Sequence, residues 1–263
     1  MSGVSRPPLA VRAEGEGSTV CLVPGWSWEM AVWDEIAERL ARHHRVVRVD
    51  LPGHGDTPPW GPFGLRELAA SLREALPRDA LWVGWSLGGM AALVAAAHEE
   101  GPAALLLVAT APRFVRGDGW PHGVEPVALA TMRAALEAEG PEPVLRRFLA
   151  LQTRGDHEER RLLRRLRLLR RERPLPDPAA LACGLAILAE ADLRELRPGS
   201  PVTWLFGEAD PLLGPAVAEG VRALHPRQVV ESWAGCAHLP FLSRPEAFVE
   251  RVRAVAASAG VES

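Results

Sequence analysis

The sequence predicts an α/β fold: a mostly parallel central sheet flanked by helices, with a helical cap inserted part-way along the chain. Three observations lead there. Short apolar, β-branched runs alternate with segments of helical spacing through residues 1–111, a pattern that implies parallel strands covered on both faces by crossover helices. The alternation stops between residues 112 and 196, where helical stretches are punctuated by "GWPHG", "EGPEP" and "RPLPDP", and strands return after residue 197. Finally, a buried-strand pattern, a tight glycine-flanked turn and an alanine-rich helix follow one another in "ALWVGWSLGGMAALVAAAH". The predicted organisation is a core of 1–111 and 197–263 with a cap of 112–196.

Each core element has its own signal. "STVCLVPGW" and "HRVVRVDLPGHG" are apolar runs that end in Gly/Pro loops, and "WDEIAERLARH" between them has helical spacing. "AALLLVATAP" continues the series as a buried strand. After the cap, "PVTWLFGEADPLL" and "RQVVESWAGCAHLPF" are strands running into loops, and "PEAFVERVRAVAASAG" is the closing helix. Residues Met1 to Gly17 mix Arg, Pro, Glu and Gly without an apolar stretch, so they do not resemble a secretory signal. No run approaches the ~20 apolar residues that cross a bilayer, so a cytoplasmic protein without a membrane partner is expected. A monomer is expected as well.

Composition narrows the chemistry. Three cysteines, Cys21, Cys183 and Cys236, form no CxxC pair, so neither a disulfide framework nor a structural zinc site is expected. No Walker loop or HExxH is present, and no cofactor or metal is expected. All 30 basic residues are arginine, against 33 acids. Eleven arginines and only four acids fall within residues 146–173, a local charge of +7 in a chain of net charge -3. Within "HEERRLLRRLRLLRRER", Leu162, Leu163, Leu166 and Leu169 fall on one helical stripe, leaving most arginines on the other faces. An overall acidic balance argues against a nucleic-acid partner, and a basic cap on such a chain steers acidic partners toward itself.

"GWSLGG", Gly84 to Gly89, matches GxSxG between a strand and a helix, the context in which a strained turn presents a nucleophilic serine. Ser86 is the candidate. Its hydroxyl needs a base and a carboxylate that orients the base. Of the eight histidines, His225 and His238 follow the late strand; His238, in the loop "GCAHLPF", is preferred over His225 at a helix end. Asp210, in "LFGEADPLL" just beyond a strand, is the preferred acid, with Glu208 competing and Asp192 more distant. Oxyanion donors are expected at the backbone amides of Leu87 and of Trp26 in "VPGWSW". Asp50 and His54 in "DLPGHG" precede the serine and are read as loop structure.

With "GWSLGG", "DLPGHG", "GEAD" and "AHLPF", the chain resembles the α/β-hydrolase superfamily over nearly its whole length. "RFLALQT", "GLAILAEADLREL" and Trp85 within the elbow resemble, more narrowly, the carboxylesterases of biotin synthesis that demethylate pimeloyl-acyl-carrier-protein methyl ester. The resemblance implies a Ser86, Asp210, His238 triad, with substrate and oxyanion positions at Trp26 and Leu87. It also implies an acyl pocket lined by Phe148, Leu149, Ala150, Leu151 and Gln152, and an acyl carrier protein held by Arg147, Arg160 and Arg164. One departure is visible: that family has His-Gly-Trp where this chain has Pro24-Gly25-Trp26. The alternatives are a general short-chain carboxylesterase or another capped hydrolase, such as an aminopeptidase or carbon-carbon hydrolase, and a binding module without turnover.

Overall fold

A computed structural model describes residues 6–261. Residues 1–5, part of the segment read above as non-secretory, lie outside the described residues. Seven strands form one sheet: β1 (Val11–Glu14), β2 (Thr19–Val23), β3 (Arg45–Val49), β4 (Leu81–Trp85), β5 (Ala104–Val108), β6 (Val202–Gly207) and β7 (Val229–Trp233). Their order across the sheet is β1-β3-β2-β4-β5-β6-β7. Every pairing is parallel except β1 with β3. Helices α1 (Asp34–Leu40), α2 (Leu65–Ala75) and α3 (Leu87–Ala96) belong to the first half of the chain.

Strands β4 and β5 are buried at every position, which is what their unbroken apolar runs require. Removing each Val or Leu side chain from water contributes about 1.5–3 kcal/mol, so these two strands, with β6, which is likewise buried at every position, form the apolar centre of the sheet. β1 has mostly exposed residues and no apolar run; it forms only because the edge of β3 accepts it, with Val11 opposite Val49. That antiparallel edge strand, α2 and a short helix over Pro240–Ser243 were not expected from the apolar pattern.

Between β5 and β6 lie α4 (Pro126–Glu139), α5 (Pro141–Thr153), α6 (Glu159–Arg171) and α7 (Pro178–Glu190). Isolated bridges are the only strand-like pairings among these described residues. α8 (Val217–Leu224), α9 (Pro240–Ser243) and α10 (Pro245–Ser258) complete the chain. On α6, Leu162 and Leu166 are fully buried, whereas Leu163 and Leu169 are half-buried and pack against the core. The leucine stripe is therefore deepest at its first two turns.

The strand order places a crevice. After β2 the chain moves outward to β3 and then returns to pair β4 on the other side of β2. Loops leaving the carboxyl ends of β2 and β4 therefore diverge, and such switch points are where open parallel sheets bind ligands. Pro24–Trp28 follows β2 and Ser86 follows β4.

Candidate active site

Ser86 occupies the turn between β4 and α3 with φ 52° and ψ −119°, a left-handed conformation that costs an L-residue about 1–3 kcal/mol. The surroundings hold it there. Its amide donates to Val108 O at 2.9 Å, and Thr110 Oγ1 donates to Ser86 O at 3.2 Å. A Cβ on Gly84 would stand 2.6 Å from Gly89 Cα and one on Gly88 2.2 Å from Pro24 O, so the two glycines that flank the serine are demanded by the closeness of strand, helix and the loop after β2. A Cβ on Gly25 would stand 3.2 Å from Ser86 Cβ, which puts the loop after β2 directly against the elbow.

His238 lies between β7 and α9. Its Nδ1 is 2.8 Å from Asp210 Oδ2, and Asp210 Oδ1 accepts from the amides of Leu212 at 2.9 Å and Leu213 at 3.4 Å. A carboxylate that already accepts two amides has only acceptor capacity to offer, so the imidazole donates from Nδ1 and keeps the lone pair of Nε2. Nε2 is buried and has no hydrogen-bond partner. Trp85 Nε1 donates to His238 O at 2.9 Å, which ties the histidine loop to the residue preceding Ser86. Ser86, Asp210 and His238 are 4%, 2% and 0% exposed. Of the competing residues, Glu208 is exposed, Asp192 is paired with Arg113 and Arg194, and His225 stacks on Trp204 at 5.9 Å.

Trp26 follows β2 and Leu87 follows Ser86 as the first residue of α3. Neither backbone amide donates a hydrogen bond within the chain, among the described residues. The indole of Trp26 donates to Leu181 O at 2.9 Å and meets Phe148 edge-on at 4.9 Å, so α5 and α7 both reach the loop after β2. Gly184, on α7, touches both: a Cβ there would come within 2.4 Å of Trp26 Cδ1, 2.9 Å of Trp26 Nε1 and 3.2 Å of Leu87 Cδ2. This glycine was not singled out from sequence, because nothing local marks it as a contact.

The five residues Phe148 to Gln152 span more than one turn of α5 and face different ways. Phe148 and Leu151 line an apolar cavity of about 200 Å³ between α4 and α5, with Arg147 at its edge. Leu149 faces a cleft toward α6, and Ala150 is half-buried. Gln152 is buried; its Oε1 accepts from Trp28 Nε1 at 3.1 Å and its carbonyl accepts from His238 N at 3.3 Å. Arg147 is engaged by Glu139 through two hydrogen bonds of 2.8 and 3.1 Å. Arg160 and Arg164 are exposed on α6 and unpaired among the described residues.

Asp50 and His54 serve the loop after β3. Asp50 accepts from the amides of Met30 at 2.6 Å and Asp56 at 2.9 Å, while His54 Nδ1 is 2.9 Å from Pro52 O. Burial pushes His54 down to about 4. No cluster of three His, Cys, Asp or Glu side chains could hold a metal ion among the described residues, and no described helix is long and apolar enough to cross a membrane.

The model of the family described as Alpha/beta hydrolase family matches residues 22–251. The chain belongs to that family. The hydrolase is 36% identical over 244 residues to a pimeloyl-[acyl-carrier protein] methyl ester esterase of Vibrio cholerae, covering 92% of this chain and 95% of the relative. It is 39% identical to the protein of that name in Methylococcus capsulatus, over 90% of this chain and 94% of the relative. Among solved structures, an esterase of Exiguobacterium antarcticum superposes with a TM-score of 0.81 at 21% identity, each chain being 94% covered. An enol-lactonase of Burkholderia xenovorans superposes with 0.76 at 22% identity, over 94% of this chain and 95% of that one. These two likenesses describe the fold.

Proposed function

We propose that this hydrolase is a serine carboxylesterase that cleaves the methyl ester of a pimeloyl chain carried on acyl carrier protein, releasing methanol. The resemblance carried by its sequence motifs places that reaction in biotin synthesis. Asp210 holds His238 with the Nδ1 proton toward the carboxylate, and Nε2 takes the proton of Ser86 Oγ as it attacks the ester carbonyl. The Trp26 and Leu87 amides receive the oxyanion, a contribution of about 2.7–4 kcal/mol for each donor. His238 then protonates the leaving methoxide, and water, activated by the same nitrogen, frees the terminal carboxylate from Ser86. The observation that carries this reading is the buried Asp210–His238 pair at 2.8 Å, whose second nitrogen has no hydrogen-bond partner and whose ring lies 5.7 Å from that of Trp85, the residue before Ser86.

Residues 1–111 and 197–263 act as the catalytic core and 112–196 as its cap, with the cavity of Phe148 and Leu151 receiving methylene groups. The carrier stays outside. Arg160, Arg164, Arg167 and Arg171 recur at spacings of four, three and four along α6, all exposed and without an acidic partner among the described residues. A helix row of that kind suits an acidic carrier. Arg147 joins it by exchanging Glu139 for a carrier carboxylate, since a solvent-exposed pair is weak and easily traded. Replacing Ser86 by Ala tests the chemistry: hydrolysis of a free dimethyl dicarboxylate and of the carrier-bound ester should both fall on the order of 10⁴-fold or more. Retained turnover of either refutes it.

A further inference from the structure

We infer that the arginine-rich helix α6 is a brace for the active site: Asp156, in the turn leading into it, and Arg170, near its end, are positioning residues for the histidine loop and the oxyanion loop. The inference rests on the roles proposed above for those loops.

Asp156 has a fully buried carboxylate. Its Oδ2 accepts from Ala237 N at 2.8 Å, the residue immediately before His238, and its Oδ1 accepts from Ser243 Oγ at 2.9 Å and Glu158 N at 2.8 Å. The neighbouring turn adds His157 N to Gly235 O at 2.9 Å, and Arg161 donates to Leu242 O at 3.1 Å. Gly235 to Ser243 is therefore pinned at both ends and at its centre by one cap segment. A buried carboxylate is retained here because its acceptors are matched to donors of the loop, and charge-assisted bonds of this kind are about twice as strong as neutral ones.

Arg170 does the same for the other loop. Its guanidinium donates to Ser27 O and lies 4.7 Å over the ring of Trp28. Ser27 is held at φ 70° and directly follows Trp26, whose amide faces the oxyanion. A left-handed non-glycine residue persists only where its surroundings enforce it, and Arg170 supplies a bond and a stacked face at that point. Pro24 has no backbone donor, and within the loop Trp28 N donates to Gly25 O at a long 3.3 Å, so the contacts from α6 add to a weak internal turn. Arg173, 3.4 Å from Glu29, extends the grip by one more residue.

The test uses the full chain with Asp156→Asn, Arg170→Met and Arg170→Lys. Amide hydrogen exchange should quicken about tenfold at 235–243 in Asp156→Asn and at 25–29 in Arg170→Met, each leaving the other loop as it was. With a soluble dimethyl dicarboxylate, kcat per folded molecule should fall about tenfold or more while KM stays within about twofold, as expected for lost transition-state alignment. Arg170→Lys, which restores a donor to Ser27 O, should recover part of both. Unchanged exchange in both loops overturns the brace, as does a loss confined to KM. A wild-type chain inactive on every ester, yet showing the exchange pattern, would instead sink the esterase reading and leave the brace standing.

Discussion

Gly184→Ala is the substitution whose effect follows most directly from the packing around the oxyanion. In an ordinary helix interior the added methyl stabilises by about 0.5–1 kcal/mol, because glycine loses more backbone entropy on folding. Here the methyl meets Trp26 Cδ1 at 2.4 Å, Trp26 Nε1 at 2.9 Å and Leu87 Cδ2 at 3.2 Å. The indole has no room to retreat: it donates to Leu181 O, one turn earlier on the same helix, and abuts Phe148. Overpacking of this kind costs about 1–3 kcal/mol, so the net change in stability lies between roughly zero and a loss of 2.5 kcal/mol. The larger consequence is catalytic. Moving α7 away or pushing the loop after β2 displaces the Trp26 amide, and losing an oxyanion donor outright lowers kcat about 10²–10³-fold. Partial displacement should lower kcat by about tenfold with KM little changed. Urea denaturation and steady-state kinetics on a dimethyl dicarboxylate read the two effects separately. A variant that gains the helix-propensity stabilisation and keeps its kcat would refute the claim that α7 sets the oxyanion loop.

Two further outcomes follow from the charges. His54 is held near 4 by burial instead of the usual 6.5, so the unfolded chain takes up the proton first: stability is full above pH 6.5 and falls by up to about 3 kcal/mol as the pH drops to 4. Burial also depresses His44 and His225, which adds to the same trend, whereas burial raises Glu29 and Asp50 and offsets part of it at the acid end. Urea midpoints measured between pH 7 and 4 check the slope, and a flat profile contradicts it. Reversing Arg160 and Arg164 to Glu should leave the small-ester rate and stability nearly unchanged, because both are exposed. The same change should lower kcat/KM on the carrier-bound ester about tenfold or more, with a weakened salt dependence; equal losses on both substrates count against carrier docking on α6.

The parts of the fold written in local pattern were readable from the sequence. β4 and β5 are continuous apolar runs because both faces are covered, and the GxSxG turn joins a strand to a helix wherever it occurs in this setting. β1 was hidden because "VRAE" has no apolar periodicity and owes its conformation to the exposed edge of β3. α2 has Leu68, Ala69 and Leu72 on its buried side but follows a Pro/Gly-rich stretch that obscures where it starts. The same division holds at the site. Ser86, Asp210 and His238 stand in recognisable loops, whereas Asp156 meets Ala237 and Ser243 across 81 and 87 residues, and Arg170 meets Ser27 across 143. In sequence both are merely charges in a crowded segment. The resemblance implied one acyl lining from Phe148 to Gln152, yet a helix turns about 100° per residue and distributes them over several surfaces.

Hydrolysis of the carrier-bound pimeloyl methyl ester by the purified protein bears most directly on the proposed function. Turnover should release methanol, leave a free terminal carboxylate on the carrier and disappear with Ser86→Ala. A protein that cleaves small free esters through Ser86 but leaves the carrier-bound ester intact would contradict it.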